Sequence, residues 1–285
     1  MQFPEPHIQA PRSEHAHTAI LLHGRGSDGP EFAEELFSSV TSQGGNLSDS
    51  LPSFRWVFPT SGDRWSARFQ EYMPSWFDAY SLEDIGAKQE LQVDGLRESV
   101  LHMLELLNRE IEKVGGDPRR VYLGGISQGM ATALWTLFCT PGRFQGPLGG
   151  FLGFCGWLPY AGQAEDLIKG FPNTPGGLDV PSKQRQVSQL FLDIIASPNT
   201  PCINENTDFS VLSTAIFLSH GSDDKWVPAE LGRQAARVLQ GLNLTTEYYE
   251  FTGAEGDGHW VAEPEGFDQI FTFIQKQVEQ NHLIA

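Results

Sequence analysis

A serine held between two glycines is the first candidate for chemistry in this chain. Ser127 stands at the centre of Gly125-Ile-Ser-Gln-Gly129, which matches the pattern G-x-S-x-G. A predicted strand, 120–124, precedes it and a predicted helix, 130–139, follows it, which is the context in which this pattern marks a nucleophile. The tight turn exposes the hydroxyl at a sheet edge and points the backbone N–H of Gln128 towards a developing oxyanion. The alternative is a glycine-rich turn with an incidental serine.

A histidine later in the chain is expected to act as the general base. Where this motif is functional, an acid and then a histidine follow the serine along the chain. Only His259 and His282 follow a credible acid, and His282 lies near the C-terminus, where chains fray. His259 lies between a predicted strand, 247–251, and a helix predicted to begin near Pro264. The alternative for His259 is an exposed loop histidine without a role in chemistry.

Two neighbouring aspartates compete for the position of the acid. Asp223 and Asp224 both follow a predicted strand, 214–218, so both are expected at the sheet edge that carries Ser127. Their spacing alone does not separate them. The aspartates between Ala161 and Ser213 fall in an irregular segment, where solvated loop charges are the commoner case.

The turn after the first predicted strand is expected to supply a second oxyanion donor. That strand, 18–22, ends at His23 and leads into a glycine-rich turn, 24–28. We assign the donor to the backbone N–H of Arg25, because the glycines let the chain turn sharply towards the serine. The turn lacks the Lys-Ser/Thr of a P-loop and the third glycine of the dinucleotide fingerprint, so no nucleotide site is expected.

Strands and helices alternate along the chain, which predicts an α/β fold with a mostly parallel sheet flanked by helices. Further strands are predicted at 54–58 and 151–155. The clearest helix pattern is an apolar stripe that Gly115-Gly116 ends; it consists of Leu96, Val100, Met103, Leu107, Ile111 and Val114. Because no linker divides the sequence, residues 1–285 are expected to form a single domain.

One long segment interrupts this alternation before the strand that leads to the acid. Ala161–Ser213 is rich in Pro, Asn and Gly and carries an amphipathic helix at about 183–196. Loops of this length are usually functional or mobile. One expectation is therefore a lid over the site of Ser127, and the other is a packed surface excursion that never moves.

The composition argues against several classes of partner. Lys and Arg total 19 against 36 Asp and Glu, a formal charge of −17, which would repel nucleic acid and anionic lipid. Three cysteines are an odd count and favour a reducing compartment over a disulfide framework. The sequence contains no recognisable secretory leader and no apolar run of membrane-spanning length. We therefore expect a cytoplasmic protein without stable membrane insertion; nothing in the sequence indicates its oligomeric state.

Metal and cofactor sites are not expected. His15 and His17 lie two residues apart without a third ligand nearby, which is too sparse a pattern for a zinc site. A serine nucleophile assisted by a histidine needs no cofactor.

Several motifs, in order, resemble the acyl-protein thioesterase and small carboxylesterase family, also called the phospholipase/carboxylesterase group. The motifs are LHGRGSDG, MPSWFD, LGGISQGMA, CGWLP and HGSDDKWVP. The resemblance implies the α/β-hydrolase fold, with 161–213 as a long insertion before the strand that bears the acid. In the family pattern H-G-x-x-D with V-P downstream, the acid aligns with Asp224, while Asp223 falls on a variable position.

The resemblance also implies substrate contacts. Trp157 and Leu158 would line the acyl channel and Trp76 would lie close to the active site, although ordinary core packing is the alternative for each. The chain departs from the family pattern at Arg25, where an apolar residue is usual, and at Met130, where glycine is common. A guanidinium at the mouth of the pocket would attract substrates that carry a carboxylate or phosphate.

Together these residues predict a hydrolase of acyl esters or thioesters. Ser127 would form an acyl-enzyme, His259 would act as base and then as acid, and Asp224 would fix the histidine tautomer. Long acyl chains and lipidated proteins are the substrates that the family resemblance implies. The alternatives are a hydrolase of small esters or lactones, and a module that binds an acyl ligand without turnover.

Overall fold

The computed structural model describes residues 2–171, 180–198 and 203–284. In these ranges the strands are β1 His7–Gln9, β2 His17–Leu22, β3 Phe54–Phe58, β4 Asp63–Ser66, β5 Glu71–Pro74, β6 Val121–Ile126, β7 Gly150–Phe154, β8 Ile216–Gly221 and β9 Thr246–Phe251. The α-helices are α1 Gly29–Ser38, α2 Leu47–Ser50, α3 Gln92–Lys113, α4 Gln128–Phe138, α5 Ala161–Gly170, α6 Val180–Ile194, α7 Ala229–Gly241 and α8 Glu265–Ile284.

Seven of these strands form one sheet in the order β1-β3-β2-β6-β7-β8-β9. Neighbouring strands run parallel throughout, except that β1 pairs antiparallel with β3. The four central strands are buried along their whole length, because helices cover both faces of a parallel sheet. The predicted α/β class with a mostly parallel sheet is confirmed.

The helices form a layer on each face of the sheet. α1, α2 and α8 pack against one face, and α3, α4 and α7 pack against the other. α5 contacts α6 and α7, and α6 contacts α4, so this second layer is the thicker one. Of the helices that the structure describes, none is long and apolar enough to cross a membrane.

Helix α3 follows its predicted stripe. All six apolar residues of the stripe are buried, since they face the sheet and α4. Gly115 and Gly116 follow the helix with φ angles of +78° and +81°. Such left-handed conformations cost little for glycine, which explains the end of the helix at this point.

The insertion Ala161–Ser213 holds more structure than the sequence pattern predicts. It contains α5 as well as α6, and α6 covers Val180–Ile194 rather than 183–196. The pattern misses α5 because its buried residues include the small Ala161 and Ala164, which give a weak apolar stripe. Part of the predicted insertion, 172–179 and 199–202, lies outside the described residues.

Three short strands were not expected from the sequence. β1 is a three-residue edge strand, and β4 and β5 form a separate antiparallel pair between β3 and α3. β4 and β5 are four residues each, too short for an alternating pattern to be distinctive. This second sheet matters for the cavity described below.

Candidate active site

Ser127 lies in the sharp turn between β6 and α4. Its φ of +56° and ψ of −122° are unusual for a residue with a side chain, and its N–H donates to Phe154 O over 2.9 Å. A Cβ on Gly125 or on Gly129 would collide with the carbonyl oxygen of Leu22. The glycines are therefore required because the end of β2 passes directly against this turn.

Asp224 and His259 form a short hydrogen bond at the same sheet edge. His259 Nδ1 lies 2.7 Å from Asp224 Oδ2, and the Asp224 side chain is fully buried. Asp224 Oδ1 accepts from the backbone N–H groups of Trp226 and Val227, at 2.8 Å and 2.9 Å. Asp223 is exposed. Spacing left the two aspartates equivalent, whereas in the folded chain Asp224 is the one that contacts the histidine.

The ionised form of the Asp224 carboxyl is strongly favoured over the protonated form. Burial acts to raise the pKa of this carboxyl, but hydrogen bonds from His220 and His259 outweigh it and hold the pKa well below its usual value. His220 Nε2 lies 3.3 Å from Asp224 Oδ2 and 2.9 Å from Val227 O. Because a carbonyl oxygen only accepts, His220 Nε2 carries a proton. His220 begins the motif HGSDDKWVP, but the motif alone does not indicate this contact.

The turn after β2 approaches Ser127 closely. A Cβ on Gly24 would lie 3.5 Å from Ser127 Cβ, so the backbone of this turn reaches the serine. His23 holds the turn: its Nε2 accepts from Ser61 N–H over 3.0 Å, and its Nδ1 lies 2.6 Å from Gly24 O. Burial lowers the pKa of His23 to about 4, so the ring is neutral and Nδ1 is the donor.

Gln128 begins α4 directly after the serine, and its side chain is buried. Oε1 accepts from Trp76 N–H over 2.8 Å, and Nε2 donates to Phe77 O over 2.7 Å. The side chain therefore ties the start of α4 to the segment after β5. Its backbone N–H belongs to the first turn of the helix, where such groups have no partner within the helix.

A cavity of about 390 Å³ brings most of the predicted residues together. Ser127, His259, Arg25, Gln128 and Trp157 all line it. The remaining lining is largely apolar or aromatic and includes Phe32, Phe69, Met73, Leu82, Ile126, Trp226, Val227 and Trp260. This composition is typical of a site that binds an apolar group beside a few polar ones.

Trp76 and Leu158 are not among the residues that line this cavity, so the substrate contacts expected for them stay predictions. Trp76 is fully buried, and its indole N–H donates to His23 O over 2.9 Å. This hydrogen bond holds the turn after β2 in place. Leu158 is a core residue with 2% exposure. Sequence motifs indicated that both lie near the site but not which way their side chains face.

Arg25 uses its guanidinium within the protein. Its Nη1 donates to Ala79 O over 3.2 Å, and its Cζ lies 4.7 Å from the centre of the Phe69 ring. Burial lowers the pKa of Arg25 from its usual value, and the carboxylate of Asp78 acts in the opposite direction. The side chain therefore joins the turn after β2 to the β4–β5 region.

The described part of the insertion lies away from the cavity. None of its residues within 161–171, 180–198 or 203–213 lines the cavity. Phe191 of α6 packs instead on α4, with its ring centre 4.7 Å from that of Trp135 and 5.0 Å from that of Phe138. Phe69, Met73 and Leu82, from the segment between β4 and α3, line the cavity instead. These contacts favour the packed excursion, and the lid stays a prediction.

One group of potential metal ligands occurs in the described residues. Cys155, Asp224 and His259 place ligand atoms within 4.8 Å of one another. Burial raises the pKa of the Cys155 thiol to about 12, so it stays protonated, whereas metals bind the thiolate. His15 and His17 have other contacts: His15 Nε2 lies 2.9 Å from Thr18 Oγ1, and the His17 ring stacks on Phe54.

The parallel sheet, with the serine turn after β6, the acid loop after β8 and the histidine loop after β9, has the architecture of an α/β-hydrolase. Residues 4–175 match the family model described as phospholipase/carboxylesterase. The chain belongs to this family, and it is an enzyme of the carboxylesterase and thioesterase type.

Relatives and solved structures agree with this assignment. The chain is 27% identical to acyl-protein thioesterase 1 of Gibberella zeae, over 93% of this chain and 92% of that protein. It is 28% identical to a probable carboxylesterase SOBER1-like protein of Arabidopsis thaliana, over 89% of this chain and 77% of that protein. The crystal structure of Zea mays acyl-protein thioesterase 2 shares the fold, with a TM-score of 0.64 and 21% identity, over 96% of this chain and 98% of that one.

Proposed function

We propose that this protein hydrolyses acyl esters and thioesters through a Ser127–His259–Asp224 triad and a covalent acyl-enzyme. The observation that carries the proposal is the 2.7 Å hydrogen bond between His259 Nδ1 and the buried carboxylate of Asp224. That bond engages Nδ1 of the imidazole and leaves Nε2 free to accept a proton. Ser127 and His259 line one cavity, as a nucleophile and its base must.

The first half of the reaction acylates the enzyme. Ser127 Oγ attacks the acyl carbonyl carbon while His259 Nε2 takes the hydroxyl proton. The backbone N–H groups of Arg25 and Gln128 stabilise the oxyanion, each contributing about 3 to 4 kcal/mol to the lowering of the barrier. His259 then donates its proton to the leaving alcohol or thiol as the bond to the carbonyl breaks.

The second half restores the enzyme. Water attacks the acyl-enzyme while His259 again accepts a proton, and Ser127 leaves with that proton as the carboxylic acid is released. Asp224 stays ionised throughout, because its hydrogen bonds hold its pKa well below the usual value. The same bonds fix the position of the carboxylate. The negative carboxylate stabilises the imidazolium that forms in each half.

The cavity supports acyl substrates rather than highly polar ones. Its apolar and aromatic lining suits a hydrocarbon chain, and relatives are named acyl-protein thioesterases and carboxylesterases. We therefore infer that a fatty acyl group occupies the apolar part of the cavity, with lipidated proteins among the substrates.

A fluorophosphonate probe tests the proposal, because it labels only an activated serine. We expect the wild-type protein to be labelled and to hydrolyse matched oxyesters and thioesters of several chain lengths. Ser127→Ala should lose both labelling and turnover while keeping its circular dichroism spectrum. A wild-type protein that folds but is neither labelled nor active would instead be a binding module, and the proposal would fail.

A further inference from the structure

Glu35 presents a carboxylate to the cavity that the proposed mechanism does not use. It lies on α1, the helix that follows the turn after β2, and it lines the cavity together with Phe32 one turn earlier. The residue is half-buried. Its carboxylate has no hydrogen bond or ion pair to any residue in the described ranges, whereas its neighbour Glu34 is exposed and does not line the cavity.

The surroundings of Glu35 are acidic on two elements. On α1 itself, Glu31 adds a negative charge, and the loop after β9 adds those of Glu255 and Asp257. Burial first, and then these neighbouring charges, raise the pKa of Glu35 to about 7, while His259 opposes the shift. The carboxylate of Glu35 therefore lies in a negative environment and has no salt-bridge partner among the described residues.

Two basic side chains in or beside the cavity have partners of their own. Lys225, on the loop after β8, is exposed and donates from Nζ to Gly256 O over 2.9 Å. The guanidinium of Arg25 lies over Phe69 and donates to Ala79 O, and the charges that act most on it are Asp78 and Arg68. The guanidinium of Arg25 is therefore already held by groups of the β4–β5 region.

The position of Glu35 identifies which part of a substrate it would meet. His259 delivers the proton to the leaving group in the proposed reaction, so the leaving group must lie on the His259 side. Glu35 is on that side, since Phe32, one turn earlier on α1, packs its ring against Trp260, the residue after His259, with 6.0 Å between the ring centres. The aromatic rings of Phe32, Trp226 and Trp260 line the cavity as well, and aromatic faces with a carboxylate are the chemistry that recognises an ammonium group.

We propose that Glu35 forms, with these aromatic rings, a subsite for cationic leaving groups, so that the preferred substrates are acyl esters or thioesters whose alcohol or thiol part carries an ammonium group. This inference rests on the proposed function, since a leaving group requires hydrolysis. A partly desolvated cation beside a carboxylate and aromatic rings gives a preference of about five- to tenfold in kcat/KM.

A pair of esters that differ only in charge tests this subsite. Choline esters and 3,3-dimethylbutyl esters of the same acid have nearly the same shape, but only the choline ester is cationic. The acyl group is the one that the enzyme hydrolyses fastest as a p-nitrophenyl ester. We expect the wild-type ratio of kcat/KM, choline ester over neutral ester, to be about five to ten. Glu35→Gln should lower the ratio towards one, with only the contribution of the aromatic rings remaining, and the matched control Glu34→Gln should leave the ratio unchanged.

The pH dependence of the same ratio gives a second test. Glu35 is negative only above its pKa of about 7, so the ratio should rise between pH 6 and pH 8 in the wild type and stay flat in Glu35→Gln. Titration of His259 cancels in the ratio, because both esters use the same base. A rise that persists in Glu35→Gln would mean that another group is responsible, and it would overturn the assignment to Glu35.

The outcomes separate this inference from the proposed function. A wild-type ratio near one, or a Glu35→Gln variant that loses activity equally on both esters, would overturn the subsite and leave the hydrolase intact. A folded wild-type enzyme that cleaves neither ester nor any p-nitrophenyl ester would overturn the proposed hydrolysis, and the subsite with it.

Discussion

The carboxylate of Asp224 illustrates how single residues create the chemistry of this site. It is fully buried, yet its pKa is held well below the usual value because four groups bond or approach its two oxygens. Two backbone N–H groups occupy Oδ1, while Oδ2 faces the imidazole of His259. The orientation of the carboxylate is thus determined by the backbone of its own loop.

This arrangement predicts a specific effect of Asp224→Asn. The two backbone N–H groups will hold the amide oxygen, so the amide NH₂ will face His259 and impose the wrong tautomer on it. We expect kcat to fall by about 10⁴-fold. Asp223→Asn changes the exposed neighbour, which accepts from Gly253 N–H, and should lower kcat by less than about tenfold. Steady-state kinetics on one ester checks both, and losses in the reverse order would move the acid to Asp223.

The residues of the site differ in how visible they are in the sequence. Ser127 and His259 are marked by a motif and by chain order, whereas Asp224 needed the family resemblance to be separated from Asp223. Trp76 lies close to the candidate site, as the motifs indicate, but a motif gives proximity and not the direction of a side chain. His220 contacts Asp224 four residues later, but the motif that contains it does not show which way its ring faces. Glu35 lines the cavity with residues far away in the sequence, for which no local pattern exists.

At the scale of elements, the start of α4 depends on its connection to the segment after β5. The side chain of Gln128 satisfies the N–H of Trp76 and the carbonyl of Phe77. Both backbone groups lie in buried residues, where water cannot replace the lost partner. The same helix start carries the N–H proposed to stabilise the oxyanion, so fold and chemistry are coupled at this residue.

Gln128→Met tests this coupling, since methionine has nearly the same size but cannot pair with the two backbone groups. We expect the free energy of unfolding to fall by about 3 kcal/mol and kcat to fall by up to about 100-fold as the donor shifts. The control Gln163→Met removes an exposed glutamine of α5 and should change both quantities little. Chemical denaturation measures the stability, and steady-state kinetics measures kcat. A Gln128→Met variant as stable as the control would show that the Gln128 side chain does not hold α4 to the segment after β5.

Helix α6 raises the question of whether the insertion covers the cavity or only supports the fold. Its Phe191 is fully buried against α4. If it is scaffold, Phe191→Ala should lower the free energy of unfolding by about 3 to 4 kcal/mol without changing the ratio of kcat/KM for long-chain and short-chain esters. A selective loss on long-chain esters would instead support the lid.

The elements themselves were largely predictable, for physical reasons that also explain the exceptions. Buried parallel strands and the apolar stripe of α3 give strong sequence patterns, so their positions agree with the structure to within a few residues. β4 and β5 are short and partly exposed, and α5 buries small alanines. Such elements depend on the contacts they make in the folded chain, which a local pattern does not contain.

At the scale of the whole molecule, the sheet and the terminal helix join distant parts of the chain. α8, the last helix, packs on the same face as α1 and α2. Trp260 Nε1 donates to Ser39 Oγ over 3.2 Å, and Val40 N–H donates to Glu263 Oε1 over 3.2 Å. The order of the strands also brings the loops after β2, β6, β8 and β9 to one edge of the sheet, which is how residues far apart in sequence share a cavity.

These long-range contacts support the proposal that residues 1–285 form a single domain. We expect one thermal transition, with a calorimetric enthalpy equal to the van't Hoff enthalpy and close to about 200 kcal/mol for a chain of this length. Differential scanning calorimetry measures both enthalpies. Two resolved transitions, or a calorimetric enthalpy well above the van't Hoff value, would indicate separate domains.

The mass of the protein during turnover tests most directly whether Ser127 carries the acyl group. The enzyme is mixed with a p-nitrophenyl acyl ester and quenched in acid within milliseconds to seconds. Mass spectrometry then measures the masses of the intact protein and of its peptides. We predict a burst of nitrophenol and an added acyl mass on the peptide that contains Ser127, absent from Ser127→Ala. An acyl group on another residue, or Ser127→Ala hydrolysing the ester at the wild-type rate, would contradict the proposal that Ser127 is the nucleophile.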